Sequence, residues 1–233
     1  GIVYETEDAV AAGLYRFIPT TPSRLADGGR LQMLAVRGRP RADLRTGQIT
    51  RVTMGVYWVD IDVPDVARPG TGDLSVYEQG RRAGGATFAR LEGACHADGR
   101  IFVTSTTGGE ARMGQVWELT PRADELCLVY ESPGRHELNM PDNLTVSPRG
   151  GLVLCEDGTA NPCVHALTRD GRIARFARNN TVLTGEVNGL AGDYRGSEFA
   201  GATFSPDGRW LFTNLQSPGI TLAITGPWDV GPL

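Results

Sequence analysis

The sequence predicts an all-β fold, and three observations carry that prediction. Its apolar runs are short, about four to eight residues, and rich in β-branched and aromatic side chains. Glycine and proline, 31 and 14 of the 233 residues, fall between these runs at turn positions. Long helical periodicity is almost absent.

Taken in chain order, "TEDAVAAGLYRF" (6–17) has room for one helical turn, but Gly13 and the aromatic pair Tyr15 and Phe17 favour the start of a strand. The runs "LQMLAV" (31–36), "VYWVDI" (56–61), "IFVTST" (101–106), "QVWEL" (115–119) and "LCLVYES" (126–132) follow, each read as a strand. "GGEARMG" (108–114) is glycine-rich but lacks the Lys-Ser/Thr ending of a phosphate-binding loop, so it reads as a plain loop. "LVLCED" (152–157), "WLFTNL" (210–215) and "ITLAIT" (220–225) complete the series of strands.

Three segments resemble one another: "EGACHADGRIFVTST" (92–106), "DNLTVSPRGGLVLCED" (142–157) and "GATFSPDGRWLFTNL" (201–215). Each runs from a polar or acidic start through a glycine turn into an apolar strand. The turn glycines Gly99, Gly150 and Gly208 recur at intervals of 51 and 58 residues. A unit of about 50 residues built from four short strands predicts a β-propeller blade. The chain then reads as a single domain over 1–233 with about four to five such blades, a portion of a larger propeller.

Composition narrows the function classes. Apolar residues make up 40% of the chain, which is globular rather than disordered. A net charge of −4 argues against nucleic acid, whose phosphates call for a basic surplus. All 23 basic residues are arginine. No apolar run reaches about 18 residues, so no transmembrane helix is expected. The opening "GIVYETED" reads like the middle of a strand and not like a signal peptide, and the expectation is a processed or shortened chain. Cys95, Cys127, Cys155 and Cys163 form no Cys-x-x-Cys pair, which disfavours a zinc ribbon. Cys155 and Cys163 bracket a turn and read equally as a disulfide or as two buried thiols. The histidines His96, His136 and His165 show no ligand spacing.

Acidic residues follow the repeat. Glu92, Asp142 and Glu198 are separated by 50 and 56 residues, and Glu7 and Asp8 precede an earlier strand in the same style. Side chains spaced by a blade repeat converge on one channel mouth, where carboxylates repel unless a cation neutralises them. With Asn143 the set is all oxygen, suited to Ca²⁺, Mg²⁺ or Mn²⁺ and open to Fe³⁺. The plainer reading makes these residues turn formers. Arg90, two residues from Glu92 and therefore on the same strand face, suits an oxyanion, or else makes a surface ion pair.

The ordered series "TED…LYRF", "FARLEG" (88–93), "GQVWEL" (114–119), "PDNL" (141–144), "CEDG" (155–158), "SEFAGATFSPDGRWLFTNLQSPG" (197–219) and "ITGPW" (224–228) resembles the PhoX-type alkaline phosphatase family of exported bacterial propeller proteins. The resemblance implies a metal-dependent phosphomonoesterase with Ca²⁺ and Fe³⁺ at the channel mouth and export to the periplasm or beyond. It implies that Glu7, with Asp8, and Glu92 and Glu198 are metal ligands and that Arg90 contacts phosphate, so that Arg90 and Glu92 form the catalytic pair. Asp142, Asn143, Glu156 and Asp157 match positions lining the same site. This chain has "RLEG" and "QSPG" where the family often has proline and histidine. Family chains are longer at the N-terminus, and the expectation is that this chain is a C-terminal portion, partnered by the remainder. Two other readings stay open: a Ca²⁺-dependent lactonase-type propeller, which "PDNL" and "SPRGG" also resemble, and a non-catalytic propeller that binds a partner.

Overall fold

The computed structural model describes residues 1–66, 74–158 and 161–228. The described residues form seventeen strands and one short helix, in successive antiparallel meanders. The first meander is β1 (Val3–Thr6), β2 (Leu14–Thr21), β3 (Arg24–Val36) and β4 (Thr53–Asp60). The second is β5 (Leu91–Ala97), β6 (Arg100–Ser105), β7 (Gln115–Thr120) and β8 (Glu125–Glu131). The third is β9 (Pro141–Val146), β10 (Leu152–Glu156), β11 (Cys163–Leu167) and β12 (Ile173–Arg178). A hairpin of β13 (Val182–Val187) and β14 (Leu190–Asp193) leads to the three strands β15 (Phe199–Phe204), β16 (Trp210–Leu215) and β17 (Ile220–Thr225). All eight apolar runs read from the sequence fall on these strands, four of them running one residue past the strand end.

The sequence predicts separate four-stranded units, but the first two meanders are one sheet. β4 pairs with β8 through Thr53 and Cys127, Met54 and Leu126, and Gly55 and Glu125. The far ends of this eight-stranded sheet also meet: Leu91 N donates to Glu7 O at 3.0 Å and Arg90 N to Ala9 O at 2.8 Å. The nearly closed sheet wraps a single core that includes Leu14, Leu34, Phe88, Val103, Trp117 and Leu128. Phe88 meets Trp117 edge to face at 5.5 Å, the geometry that the ring quadrupoles favour.

The repeated turns are not alike. Asp98 and Gly99, at φ of 50° and 74°, make the two-residue hairpin expected of Asp-Gly between Ala97 and Arg100. The loops that carry Gly150 and Gly208 are wider, closed by Ser147 N to Gly151 O and by Ser205 N to Trp210 O, both 2.8 Å. The helix α1 (Val76–Arg82) interrupts the β pattern. Ser75 and Glu78 form a reciprocal capping box at its start.

The second and third meanders are stitched by buried hydroxyls. Thr104 Oγ1 accepts from Gly93 N at 2.9 Å and donates to Asp142 O at 3.0 Å. A Cβ on Gly93 would sit 2.6 Å from that same carbonyl, so only glycine lets β5 approach β9 this closely. β9 is tied onward to β15, since Asn143 Oδ1 accepts from Ala202 N at 2.8 Å. Strands β5, β9 and β15 thus lie side by side, and their N-terminal ends share one edge of the molecule.

Candidate functional site

Arg90 stands at the centre of that edge. It precedes β5 in a left-handed conformation, φ 46°, which is costly for a side chain with a Cβ and persists only where the surroundings enforce it. Its backbone is held on both sides, N–H to Ala9 O and C=O from Thr106 N, each at 2.8 Å. The pairing of Glu7–Ala9 with Arg90–Leu91 brings Asp8 alongside. Arg90 Nε donates to Asp8 Oδ1 at 2.8 Å, Nη2 reaches Glu92 Oε1 at 2.7 Å, and Nη1 lies 3.8 Å from Asp157 Oδ2. The contact with Glu92 therefore arises from this turn and not from a shared strand face. The hydrogen bond to Asp8, aided by Glu92 and Asp157, holds the Arg90 guanidinium charged.

Around Arg90 gather carboxylates from three meanders. Glu92 is the second residue of β5, Asp142 the second of β9, Asp157 follows β10, and Glu198 immediately precedes β15. Glu92 Oε1 lies 3.0 Å from Thr106 Oγ1, whose hydroxyl also lies 3.1 Å from Pro141 O and so serves one acceptor at a time. Burial, reinforced by Glu92 and Asp157, pushes the Asp142 carboxyl up to about 7. Glu198 shares a hydrogen bond with Asp157, and that bond together with burial pushes it up to about 8. Burial also raises Glu92, against the opposing pull of Thr106 and Arg90. Asp142 Oδ1 is buried and has no hydrogen-bond partner among the described residues. A buried oxygen without a donor, amid carboxylates that raise one another, fits a hard cation such as Ca²⁺ or Fe³⁺. Asp157 and Glu198 also line an open cleft of about 760 Å³, with Tyr194, Ser197 and Gln216.

A family model described as "Alkaline phosphatase PhoX" matches residues 1–219. This chain belongs to the PhoX alkaline phosphatase family. Membership supports a phosphatase-like hydrolase, and metal dependence is general in the family. None of the curated protein sequences matches the chain. Among solved structures, a protein from Bacteroides uniformis described as a candidate 6-phosphogluconolactonase aligns over 95% of this chain and 67% of its own. At 14% identity and a TM-score of 0.36 it carries no argument about activity.

Not every expected site residue of this PhoX-family chain joins the cluster. Glu7 turns away: its Oε2 accepts from Tyr15 Oη at 2.7 Å and from Gly13 N at 2.9 Å. Burial and the Glu7 carboxylate hold the Tyr15 phenol well above its usual range. The side-chain oxygen of Asn143 is taken by Ala202 N. Glu156 belongs to another, closed group. Its Oε1 accepts from Asn139 N and faces His165 Nε2, both at 2.8 Å, while Oε2 accepts from Cys163 N at 2.8 Å. Glu156, Cys163 and His165 are all buried, with ligand atoms within 4.8 Å of one another, so they could hold a metal ion. The carboxylate is already supplied with donors, whereas His165 Nδ1 has none among the described residues. Cys155 and Cys163 are free thiols. Sequence reasoning gave no role to His165 and read Thr106 only as the end of the strand run "IFVTST". Thr106 lies two residues past Thr104, which stitches the sheets, and the alternation along "TST" was the available signal.

Proposed function

We propose that this chain is a metal-dependent phosphomonoesterase, its meanders forming successive blades of a propeller whose mouth carries the carboxylate cluster. The observation that carries the reading is the buried, unpartnered Asp142 Oδ1 set among Glu92, Asp157 and Glu198 beside a charged guanidinium. We assign Glu92, Asp142, Asp157 and Glu198, with Asp8 at the rim, to Ca²⁺ and Fe³⁺ binding. When bound, such cations supply electrophilic neutralisation of the phosphoryl oxygens. Arg90 positions the phosphate monoester. Among the described residues its Nη1 has only the 3.8 Å contact with Asp157, and so keeps N–H donors for the phosphoryl group, while Nε and Nη2 are held by Asp8 and Glu92. Asp8 and the enforced left-handed backbone fix that fork, so no reorganisation is required as charge develops in the transition state. Thr106 holds the Glu92 carboxylate in line.

Family enzymes are generally exported, and we extend that location to this chain. Among the described residues, no helix is long and apolar enough to cross a membrane. The test is hydrolysis of p-nitrophenyl phosphate with Ca²⁺ and Fe³⁺ supplied, comparing wild type with Glu92→Ala and Arg90→Met. The proposal expects each variant to lose roughly 10²-fold or more in kcat/KM, as removal of a transition-state charge contact does elsewhere. Activity in Glu92→Ala equal to wild type removes Glu92 from the site, and turnover of a lactone without any phosphatase activity favours the lactonase reading instead.

A further inference from the structure

The loop "GGEARMG" lines a groove that also includes Arg90. Arg90 lines an open groove of about 1150 Å³ together with Arg45, Arg112, Val10, Met113 and Met140. The loop that carries Arg112 and Met113 is clamped by backbone bonds: Gly109 N to Arg45 O at 2.7 Å, Gly114 N to Gly108 O at 3.0 Å, and Met140 N to Met113 O at 2.9 Å. Side chains grip it too, since Glu110 Oε1 accepts from Gly47 N at 2.8 Å and Glu110 N donates to Glu131 Oε1 at 3.1 Å. Arg112 itself is exposed, held at φ 55°, and its guanidinium has no ion-pair or hydrogen-bond partner among the described residues.

Arg45 differs, because Asp43 grips its fork at 2.9 and 2.7 Å. Among the described residues, the only acidic side chain lining the groove, Asp43, is thereby neutralised; Arg90 is already paired with Asp8 and Glu92, so Arg112 brings the unpaired positive charge of the lining. Beside these charges lie the two thioethers and the exposed Val10, an apolar floor suited to an organic group.

We propose that this groove is the leaving-group subsite, and that Arg112, with Arg45 beside it, selects phosphate monoesters bearing a second anionic group on an apolar body. The inference rests on the phosphomonoesterase reading, because Arg90 joins the two halves of the site. Arg112 acts as a specificity residue: it reads the far end of the substrate and takes no part in bond breaking. The clamped loop removes the backbone's share of the ordering cost on binding. A charge-assisted hydrogen bond from a free guanidinium is strong enough to set a preference of roughly tenfold.

The experiment compares kcat/KM for phenyl phosphate, 4-carboxyphenyl phosphate and 1,4-phenylene bisphosphate in metal-loaded wild type, Arg112→Met and Arg112→Lys. The two substrates with a second anionic group separate a carboxylate from a phosphate at that position. The expected result is a wild-type preference for one or both of them over phenyl phosphate that falls about tenfold in Arg112→Met and is partly restored in Arg112→Lys. Thermal unfolding confirms that the variants are folded. An unchanged preference in Arg112→Met, with phenyl phosphate turned over, overturns the subsite and leaves the phosphatase reading intact. Should wild type hydrolyse none of the three, that reading fails instead. The groove is then judged by calorimetric binding of 4-carboxybenzylphosphonate against benzylphosphonate. A preference for the former that Arg112→Met abolishes supports the subsite, and equal binding refutes it.

Discussion

Glu156 and Asp157 are neighbours in the chain, yet they serve opposite kinds of site. Consecutive residues at a strand end point to opposite faces. Glu156 turns into the protein, where Asn139, Cys163 and His165 surround it. Asp157 turns to the open mouth, where it meets Glu198 and the edge of Arg90. The closed group supplies its one carboxylate with three partners, Asn139 N, Cys163 N and His165 Nε2. The open group has more carboxylates than donors, and Asp142 Oδ1 is left with none among the described residues. Satisfied hydrogen bonds mark a carboxylate that holds the fold together, whereas the mutually repelling set is the one that the proposed function assigns to a cation.

The sharpest way to break this contrast is to remove the inner carboxylate. Glu156→Ala strands two backbone N–H groups and His165 in the interior and should destabilise the protein by about 3–5 kcal/mol, read from the denaturant midpoint. A loss below about 1 kcal/mol, the net worth of one ordinary hydrogen bond, contradicts the structural role.

At the mouth the same kind of change should have the opposite sign. Asp142→Asn relieves repulsion from Glu92 and Asp157, so the metal-free protein should gain about 1–2 kcal/mol at pH 8, a figure reduced for solvent screening. A loss of stability in that variant says the carboxylate was already compensated.

A gentler probe is pH. The folded-state values of Asp142 and Glu198 are raised, to about 7 and about 8, above those of the unfolded chain. Below about pH 4 both states hold these protons. As pH rises from there to about 8, the unfolded chain releases protons that the folded chain retains, so the metal-free midpoint falls with pH. Added Ca²⁺ binds the deprotonated carboxylates and should reverse that fall. A midpoint that is flat over this window, with and without Ca²⁺, denies the coupling.

Much of this contrast was legible in the sequence, and the remainder fails for identifiable reasons. The eight apolar runs became strands because turn residues fence each of them. The structure brings together Glu92, Asp142 and Glu198, which the spacing of about 50 residues groups, since spacing fixes which strand end a residue occupies. It could not fix where a side chain points: Glu7, added to the set because it precedes a strand in the same style, is bound to Tyr15, and Glu156, added through the family resemblance, turns inward to His165. The union of the first two meanders was hidden because β4 and β8 meet across some 70 residues of chain through only three paired positions. The helix α1 is so short that the Ser75–Glu78 capping signal stood without a periodic stretch to support it. The smallest expected effect follows from the cysteines: with Cys155 and Cys163 both free thiols, a reductant should leave the unfolding midpoint unchanged.

The most direct test is a calorimetric Ca²⁺ titration at pH 8 of wild type, Asp142→Asn and Glu156→Gln, each first stripped with chelator. The account predicts that Asp142→Asn weakens binding by roughly tenfold or more, through loss of a charged ligand, while Glu156→Gln binds as wild type does. Wild-type binding by Asp142→Asn, with binding lost in Glu156→Gln, would contradict it and move the metal to the buried group.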